Sequence, residues 1–305
     1  MADGVADRKD GSLAFDIEDY KARTGRLEWE DLDLAAAFAA TPLDADSLRC
    51  VRYMHDVEYH TVCYLREVLL TPAHEDPEVT AFLSLWAFEE FWHGEALGAV
   101  LRAHGESAGT DRVAPMRTTK ESRDRLGLLI TAVAGQLLGS DFTAIHMTWG
   151  AINEWTTQAG YAQLSRRAEH PVLTELLNRI MRQEGRHIDF YASQAKDRLA
   201  ASPRAQRFTR LALSTRWNTV GSGVMPGAET DFIGIFLFGD DEGRAMAQRI
   251  DRRTDRLAGL DGLRLLETTL DRALGIAPPR KGVLAAAGAR ATRPFRAPLA
   301  RIRAA

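Results

Sequence analysis

The feature that most constrains the fold is a pair of Glu-x-x-His motifs, each inside a segment that otherwise has the apolar pattern of a buried helix. Glu90 and His93 lie in "WAFEEFWHGEAL", and Glu184 and His187 lie in "IMRQEGRHIDFY". Residues three apart share one face of a helix, so each motif places its carboxylate and its imidazole together on the apolar face. A buried, unpaired carboxylate is costly, and a divalent cation held by both side chains removes that cost.

Each motif is matched by a single glutamate on a preceding helix. Glu58 lies 32 residues before Glu90, with the midpoint in the breaker "TPAHEDP", and Glu154 lies 30 residues before Glu184, with the midpoint at "AEHP". In antiparallel helices of equal rise, residues equidistant from the turn lie at the same height. If the two hairpins pair, four glutamates and two histidines converge. This is the ligand set of carboxylate-bridged di-iron and di-manganese bundles.

One assignment in this set has a neighbouring alternative. Asp56 is close to Glu58 but lies off the apolar stripe of its helix, so Glu58 is the predicted ligand. Two Fe ions are the predicted cofactors, and Mn remains an alternative because the same ligands accept both metals. The predicted metal ligands are Glu58, Glu90, His93, Glu154, Glu184 and His187.

Composition and periodicity favour an all-α chain. Hydrophobic residues make up 45% of the sequence, and Ala, Leu, Arg and Glu dominate long stretches with few β-branched runs. Helices are predicted at about 46–70, 78–104, 119–139, 141–168, 172–199, 203–219, 241–257 and 261–274. We predict one domain over 26–277, a four-helix bundle with additional flanking helices, preceded by a flexible segment (1–25) and followed by a basic, flexible tail (278–305).

Several classes of protein are disfavoured. The N-terminus lacks the basic start and apolar block of a signal peptide, and no stretch approaches the length of a membrane span. Two cysteines are too few for a disulfide framework. The net charge of −3 combines an acidic body with seven Lys/Arg in the tail, which is read as a solvated end rather than a nucleic-acid site. A soluble, cytoplasmic protein is predicted.

At these residues the sequence resembles the soluble acyl-carrier-protein desaturases of the ferritin-like superfamily. "EEFWHG" (89–94) is similar to the EExxHG motif of that family, "EWTT" (154–157) to its ExxT motif, and "EGRH" (184–187) to its ExRH motif. The resemblance covers about residues 45–200. It implies a ferritin-like bundle with two iron ions, and it makes Thr157 a catalytic hydroxyl beside the oxygen-binding face.

The resemblance also implies a function and partners. The expected enzyme is an O₂-dependent oxidoreductase that removes hydrogen from an unactivated C–H bond of an acyl chain bound to an acyl carrier protein. An external electron donor such as ferredoxin and a homodimer are further expectations. Two alternatives remain open: a di-iron tailoring hydroxylase acting on a small biosynthetic intermediate, and a non-catalytic iron-handling protein. Basic segments that could receive an acidic carrier are 118–125, 251–256 and the tail.

Some positions depart from the family pattern or allow two interpretations. Gln183 stands where plant-type desaturases carry Asp before the last ligand Glu, and Trp92 stands where they carry Arg. Both departures bear on the electron path. Small residues on the third core helix, including Gly150 and Gly160, leave room for a substrate or permit close helix packing. Glu89 is expected to support a ligand or to face solvent.

Overall fold

The computed structural model describes residues 15–117 and 133–278, and every regular element in these ranges is helical. The prediction of an all-α helical bundle is confirmed. A 3₁₀ turn covers Pro72–Glu75, and helical residues also occur at 110–117 and 133–138. The helices are α1 (Ile17–Arg23), α2 (Leu34–Ala40), α3 (Ala45–Glu58), α4 (Thr61–Leu69), α5 (Pro77–Ala103), α6 (Ser140–Ala168), α7 (Pro171–Ala201), α8 (Pro203–Arg216), α9 (Gly227–Phe238), α10 (Asp241–Thr254) and α11 (Leu265–Ala273).

Four of these helices surround the centre of the molecule. Helix α3 packs on α5, α5 on α7, α7 on α6, and α6 on α3, which closes a ring of four. Helix α8 packs on α6 and α7, and helices α9–α11 pack on one another and reach α6 through α9 and α10. The residues that line the middle of the ring are therefore shielded from solvent by helices on every side.

The two breakers identified in the sequence form the turns that align these helices. Helix α5 begins at Pro77, where the Asp76 carboxylate accepts hydrogen bonds from the backbone amides of the first turn. Between α6 and α7 the chain reverses over two residues, with Glu169 in the left-handed conformation (φ 47°) and His170 capping the helix that starts at Pro171. Both turns have proline at the first helical position, where its missing amide is not needed.

The prediction of one continuous helix over 46–70 is wrong at its middle. Helix α3 ends at Glu58 and α4 begins at Thr61, whose hydroxyl donates to the Glu58 carbonyl oxygen. Across the gap lies α5, where a Cβ on Gly94 would meet the Tyr59 ring at 2.7 Å. Glycine at position 94 therefore lets the turn approach α5 closely. The close approach keeps Glu58, the last residue of α3, beside α5.

The predicted flexible segment over 1–25 is wrong for its last part. Residues Ile17–Arg23 form α1, and Tyr20 is buried. The segment is held by aromatic contacts, since Phe15 lies 5.0 Å from Phe190 and Tyr20 lies 5.3 Å from Phe82 between ring centroids. Residues 1–14 lie outside the described residues. Helices α2 and α9 were also not predicted.

Other predictions fall partly outside the described residues. The helix expected at 119–139 is described only from 133 onward, where 133–138 is helical. The basic segment 118–125 and the tail from 279 onward are not described. Within the described ranges, no helix combines the length and the apolar character that crossing a bilayer requires.

Candidate metal centre

All six predicted ligands meet inside the ring of α3, α5, α6 and α7. Their side chains are buried, with residue exposures of 6% or less. Helix α3 contributes Glu58 from its last turn and α6 contributes Glu154, whereas α5 and α7 each contribute a glutamate and a histidine. Such a concentration of ionisable groups in an apolar interior is costly unless the charges are compensated.

The central glutamates are arranged as bridges between the two histidines. Glu90 places Oε2 3.5 Å from Nδ1 of His93 and Oε1 3.2 Å from Nδ1 of His187. Glu184 does the same from the neighbouring helix α7, with Oε1 3.3 Å from Nδ1 of His93 and Oε2 3.2 Å from Nδ1 of His187. Each carboxylate therefore offers one oxygen to each histidine.

The six side chains accordingly form two overlapping groups, whose ligand atoms lie within 4.8 Å of one another in each group. The first group contains His93 and Glu58 and the second contains His187 and Glu154, and both share Glu90 and Glu184. We call them the His93 position and the His187 position. Oxygen and imidazole donors in such sets suit divalent iron, manganese or zinc, so the site can hold two metal ions.

A further test of fit is whether the ligand atoms have partners within the protein. Nδ1 of His93 and Oε1 of Glu184 are buried and lack hydrogen-bond partners, although they lie 3.3 Å apart. Leaving a buried polar atom without a partner costs about 1–3 kcal/mol. A cation between these two atoms would satisfy both, so the residues present fit a metal.

Behind each histidine, a different residue holds the ring nitrogen that faces away from the centre. Nε2 of His93 lies 2.9 Å from Oε1 of Gln183, whose amide nitrogen donates in turn to the Gly25 carbonyl oxygen at 3.1 Å. Nε2 of His187 lies 2.8 Å from Oε2 of Glu89. Such contacts fix the ring orientation and leave Nδ1 free to ligate. One partner is a neutral amide and the other is a carboxylate.

Glu89 is itself part of a buried network. It accepts a hydrogen bond from the Tyr20 hydroxyl at 2.9 Å and from the Arg186 guanidinium at 2.6 Å. Burial alone would raise the pKa of Glu89, but the hydrogen bond and charge of His187, with the Arg186 charge, hold that pKa below its usual value. Of the two roles expected for Glu89, the structure therefore favours support of a ligand over a solvent-facing side chain.

The two glutamates that belong to only one group each, Glu58 and Glu154, are called the outer glutamates. They accept hydrogen bonds from different kinds of side chain. The Tyr161 hydroxyl donates to Oε1 of Glu58, and the Trp86 indole N–H donates to Oε1 of Glu154 at 3.0 Å. Neither Tyr161 nor Trp86 was predicted to contact a ligand. Their helical spacing from a ligand, seven residues after Glu154 and four before Glu90, was the available signal.

Without metal, burial and mutual repulsion distribute protons unevenly over the cluster. Burial, followed by the charge of a central glutamate, raises the pKa of Glu58 and of Glu154 well above the usual value. Burial would lower the pKa of His93, but the carboxylates of Glu184 and Glu90 close to its Nδ1 raise that pKa to about 9. The pKa of His187 is raised well above its usual value against the same effect of burial.

The central glutamates behave in the opposite way. Burial alone would raise the pKa of Glu90 and of Glu184, but close polar contacts, both imidazoles among them, hold both pKa values below the usual range. These shifts favour neutral carboxyls at Glu58 and Glu154, carboxylates at Glu90 and Glu184, and imidazolium groups at His93 and His187, a set with zero net charge. Two divalent ions replacing four protons would leave that charge unchanged.

Other residues considered in the sequence lie outside this cluster. Asp56 binds the Arg112 guanidinium at 2.7 and 2.8 Å. Thr157 lies one turn after Glu154 and is partly exposed, so its catalytic role stays a prediction. Gly150 and Gly160 are close-packing positions, because a Cβ would meet the Tyr191 ring at 2.3 Å in the first case and Leu237 and Met54 at 3.3 Å in the second.

Of the two departures from the family pattern, Gln183 has just been placed behind His93. Trp92 packs against Trp29, with ring centroids 6.1 Å apart, and the Arg26 guanidinium lies 4.5 Å from its ring centroid. The residue that replaces the family arginine is therefore part of an aromatic contact with the segment between α1 and α2.

Comparison of the chain with protein-family models, with curated proteins and with solved structures finds no match in any of the three. The similarity to the desaturases therefore rests on the three motifs and on the site that they form.

Proposed function

We propose that this chain is an O₂-dependent di-iron oxidoreductase that acts as a desaturase on a carrier-bound acyl chain. Two adjacent carbons would each lose one hydrogen. O₂ would accept two electrons from these C–H bonds and two from an external donor such as ferredoxin. With two protons from solvent, the products are an alkene and two water molecules. Bound iron would supply the electron transfer to O₂ that no side chain can provide.

The observation that carries the proposal is the position of Glu90 and Glu184. Each carboxylate has one oxygen next to Nδ1 of His93 and the other next to Nδ1 of His187. A site for a single ion would not need two carboxylates shared in this way. The arrangement supports a pair of ions close together, and two iron ions that each give one electron would together pass two electrons to O₂.

The remaining residues of the site support this chemistry by orientation and by exclusion of water. Gln183 and Glu89 hold the two imidazoles, and Tyr161 and Trp86 hold the two outer carboxylates. Full enclosure by four helices keeps bulk water from a reactive centre. Thr157, next to this enclosure on α6, is the proposed hydroxyl for proton transfer.

Metal content tests the site directly. Protein reconstituted anaerobically with Fe²⁺, and separately with Mn²⁺, should contain about two ions per chain. The variant Glu184→Ala should lose both ions, because Glu184 contributes to both positions. Glu175→Ala on the same helix, outside the cluster, is the matched control and should keep both. If Glu184→Ala unfolds by circular dichroism, Glu184→Gln replaces it. Retention of the parent metal content by a folded Glu184 variant would refute the site.

Turnover tests the activity and separates it from the alternatives. Iron-loaded protein with a ferredoxin-type reductant, O₂ and acyl-carrier-protein thioesters should yield a product two mass units lighter. A product sixteen mass units heavier would instead favour the hydroxylase. Formation of ferric mineral without any modified substrate would support the iron-handling alternative and contradict the proposed enzyme.

A further inference from the structure

Apart from the metal centre, the described part of the chain contains a cleft of about 510 Å³ between α6, α7 and α10. None of the six metal ligands lines it. Its volume lies within the range of about 300–1,000 Å³ that is common for small-molecule sites. The apolar part of the lining comes from Trp155, Ala159, Ala162, Met181, Met246 and Ile250.

Four arginines also line this cleft, and all four are exposed. They follow the spacing i, i+3, i+4 and i+7, which places them on one face of α10 and the turn after it. None forms an ion pair with a carboxylate among the residues that the structure describes. The four residues are Arg249, Arg252, Arg253 and Arg256.

The acids interspersed with these arginines in "DRRTDR" face another part of the chain. Asp251 is buried and accepts hydrogen bonds from the backbone amides of Leu266 and Glu267 at 3.0 and 3.1 Å. Asp255 accepts one from the Gly262 amide at 2.8 Å. The carboxylate of Glu267 is bound by Arg264 at 2.6 and 2.9 Å. These acids thus have other hydrogen-bond partners, and no carboxylate among the described residues pairs with the four arginines of the cleft.

Helix stability alone does not explain this arrangement. Basic residues in the last turn benefit from the helix dipole, and this accounts for Arg252 and Arg253. Arg249 lies a turn earlier and Arg256 lies beyond the end of the helix. Like charges four residues apart repel, at a cost of about 0.2–0.5 kcal/mol per pair, and the sequence contains two such pairs here.

We propose that this cleft binds a small amphipathic organic anion, with its apolar body against Trp155 and Met181 and its carboxylate or phosphate head on the arginines. Guanidinium groups bind both head groups through paired hydrogen bonds. The Arg253 guanidinium already lies 6.0 Å from the Trp155 ring centroid, so the charged and apolar parts of the site adjoin. A concave site of this size suits a small molecule rather than a protein surface.

Isothermal titration of the full chain with decanoate, decyl phosphate, decanol and decyltrimethylammonium, below micelle concentrations, tests the proposal. One anion per chain should bind at least tenfold more tightly than decanol or the cation. Decyl phosphate binding more tightly than decanoate would assign a phosphate head, and the reverse order a carboxylate head. Metal-free and metal-loaded protein should behave alike, so the result does not depend on the proposed oxidation.

The double variant Arg249→Gln/Arg253→Gln should weaken anion binding at least tenfold and leave decanol binding within twofold. The matched control Arg207→Gln/Arg216→Gln removes two exposed charges from α8 and should bind like the parent. Equal affinity for anion and alcohol, or equal loss in both double variants, would overturn the proposal. So would a change in sedimentation of the Arg249/Arg253 variant with unchanged anion binding, which would identify a protein interface.

Discussion

The two halves of the metal centre have the same types of ligand, but the residues that form hydrogen bonds to those ligands differ. The His93 position has a neutral amide behind its imidazole and a tyrosine hydroxyl on its outer glutamate. The His187 position has a buried carboxylate behind its imidazole and an indole N–H on its outer glutamate. The motifs are nearly symmetric in sequence, so the difference arises from residues that touch the ligands.

This difference has a physical consequence for the two ions. A carboxylate behind a ligating histidine raises its basicity and strengthens its bond to the metal, whereas an amide mainly fixes its orientation. We therefore expect the His187 position to bind its ion more tightly and to fill first. The stabilising charge comes from Glu89, whose pKa is held below its usual value by His187, Arg186 and Tyr20.

The largest expected effect is that of pH on metal affinity. In the metal-free cluster each position carries one protonated glutamate and one imidazolium, so each ion displaces about two protons and its affinity should rise roughly 100-fold per pH unit near neutrality. Acid therefore weakens both positions. Above about pH 9, where His93 loses its proton, the slope at the His93 position should decrease.

Proton release during anaerobic Mn²⁺ titration in weakly buffered solution measures this exchange, together with affinities at several pH values. About four protons should appear for two ions bound. Release of less than one proton per ion, or an affinity independent of pH, would contradict the charge distribution described here.

A smaller effect is expected from exchanging the side chains that form hydrogen bonds to the two histidines, Gln183 and Glu89. Glu89→Gln should weaken the His187 position about 10–100-fold and leave the His93 position within a few-fold. Gln183→Glu should strengthen the His93 position and make the two affinities more alike. Stepwise metal titration followed by electron paramagnetic resonance distinguishes the two positions.

Glu175→Gln, a partly exposed change on α7, is the control for these variants and should leave both affinities unchanged. If Glu89→Gln weakened both positions equally, the negative charge of Glu89 would act on the whole cluster. The expected difference in affinity between the His93 and His187 positions would then be wrong.

The sequence predicted the parts of this centre that depend on local periodicity. Two Glu-x-x-His motifs and two symmetric turns were enough to bring six ligands to one place, because helix geometry converts spacing into position. The residues that form hydrogen bonds to the ligands are placed by tertiary contacts. Tyr20 reaches Glu89 from a segment that was predicted to be flexible, and its few apolar neighbours gave no strong periodic signal.

The same limit applies to the break after Glu58 and to the arginine cleft. The apolar pattern continues through Tyr59, and the turn is explained only by its contact with Gly94 on α5. In "DRRTDR" two acids are interspersed with three arginines, yet α10 and the turn after it place Asp251 and Asp255 against backbone amides. Composition over six residues cannot show which charges remain uncompensated.

The smallest expected effect concerns the hydrogen bonds that Tyr161 and Trp86 donate to the outer glutamates. Tyr161→Phe removes the hydroxyl that donates to Glu58, and Trp86→Phe removes the indole N–H that donates to Glu154. One hydrogen bond to a ligand carboxylate is worth about 1 kcal/mol, or roughly fivefold in affinity. Tyr161→Phe should therefore weaken only the His93 position and Trp86→Phe only the His187 position, as measured by the same stepwise titration. Because Trp86→Phe also removes buried volume, the comparison must use affinities and not the free energy of unfolding. Equal weakening of both positions by either variant would show that the shared glutamates transmit the change, and the two halves would then act as one unit.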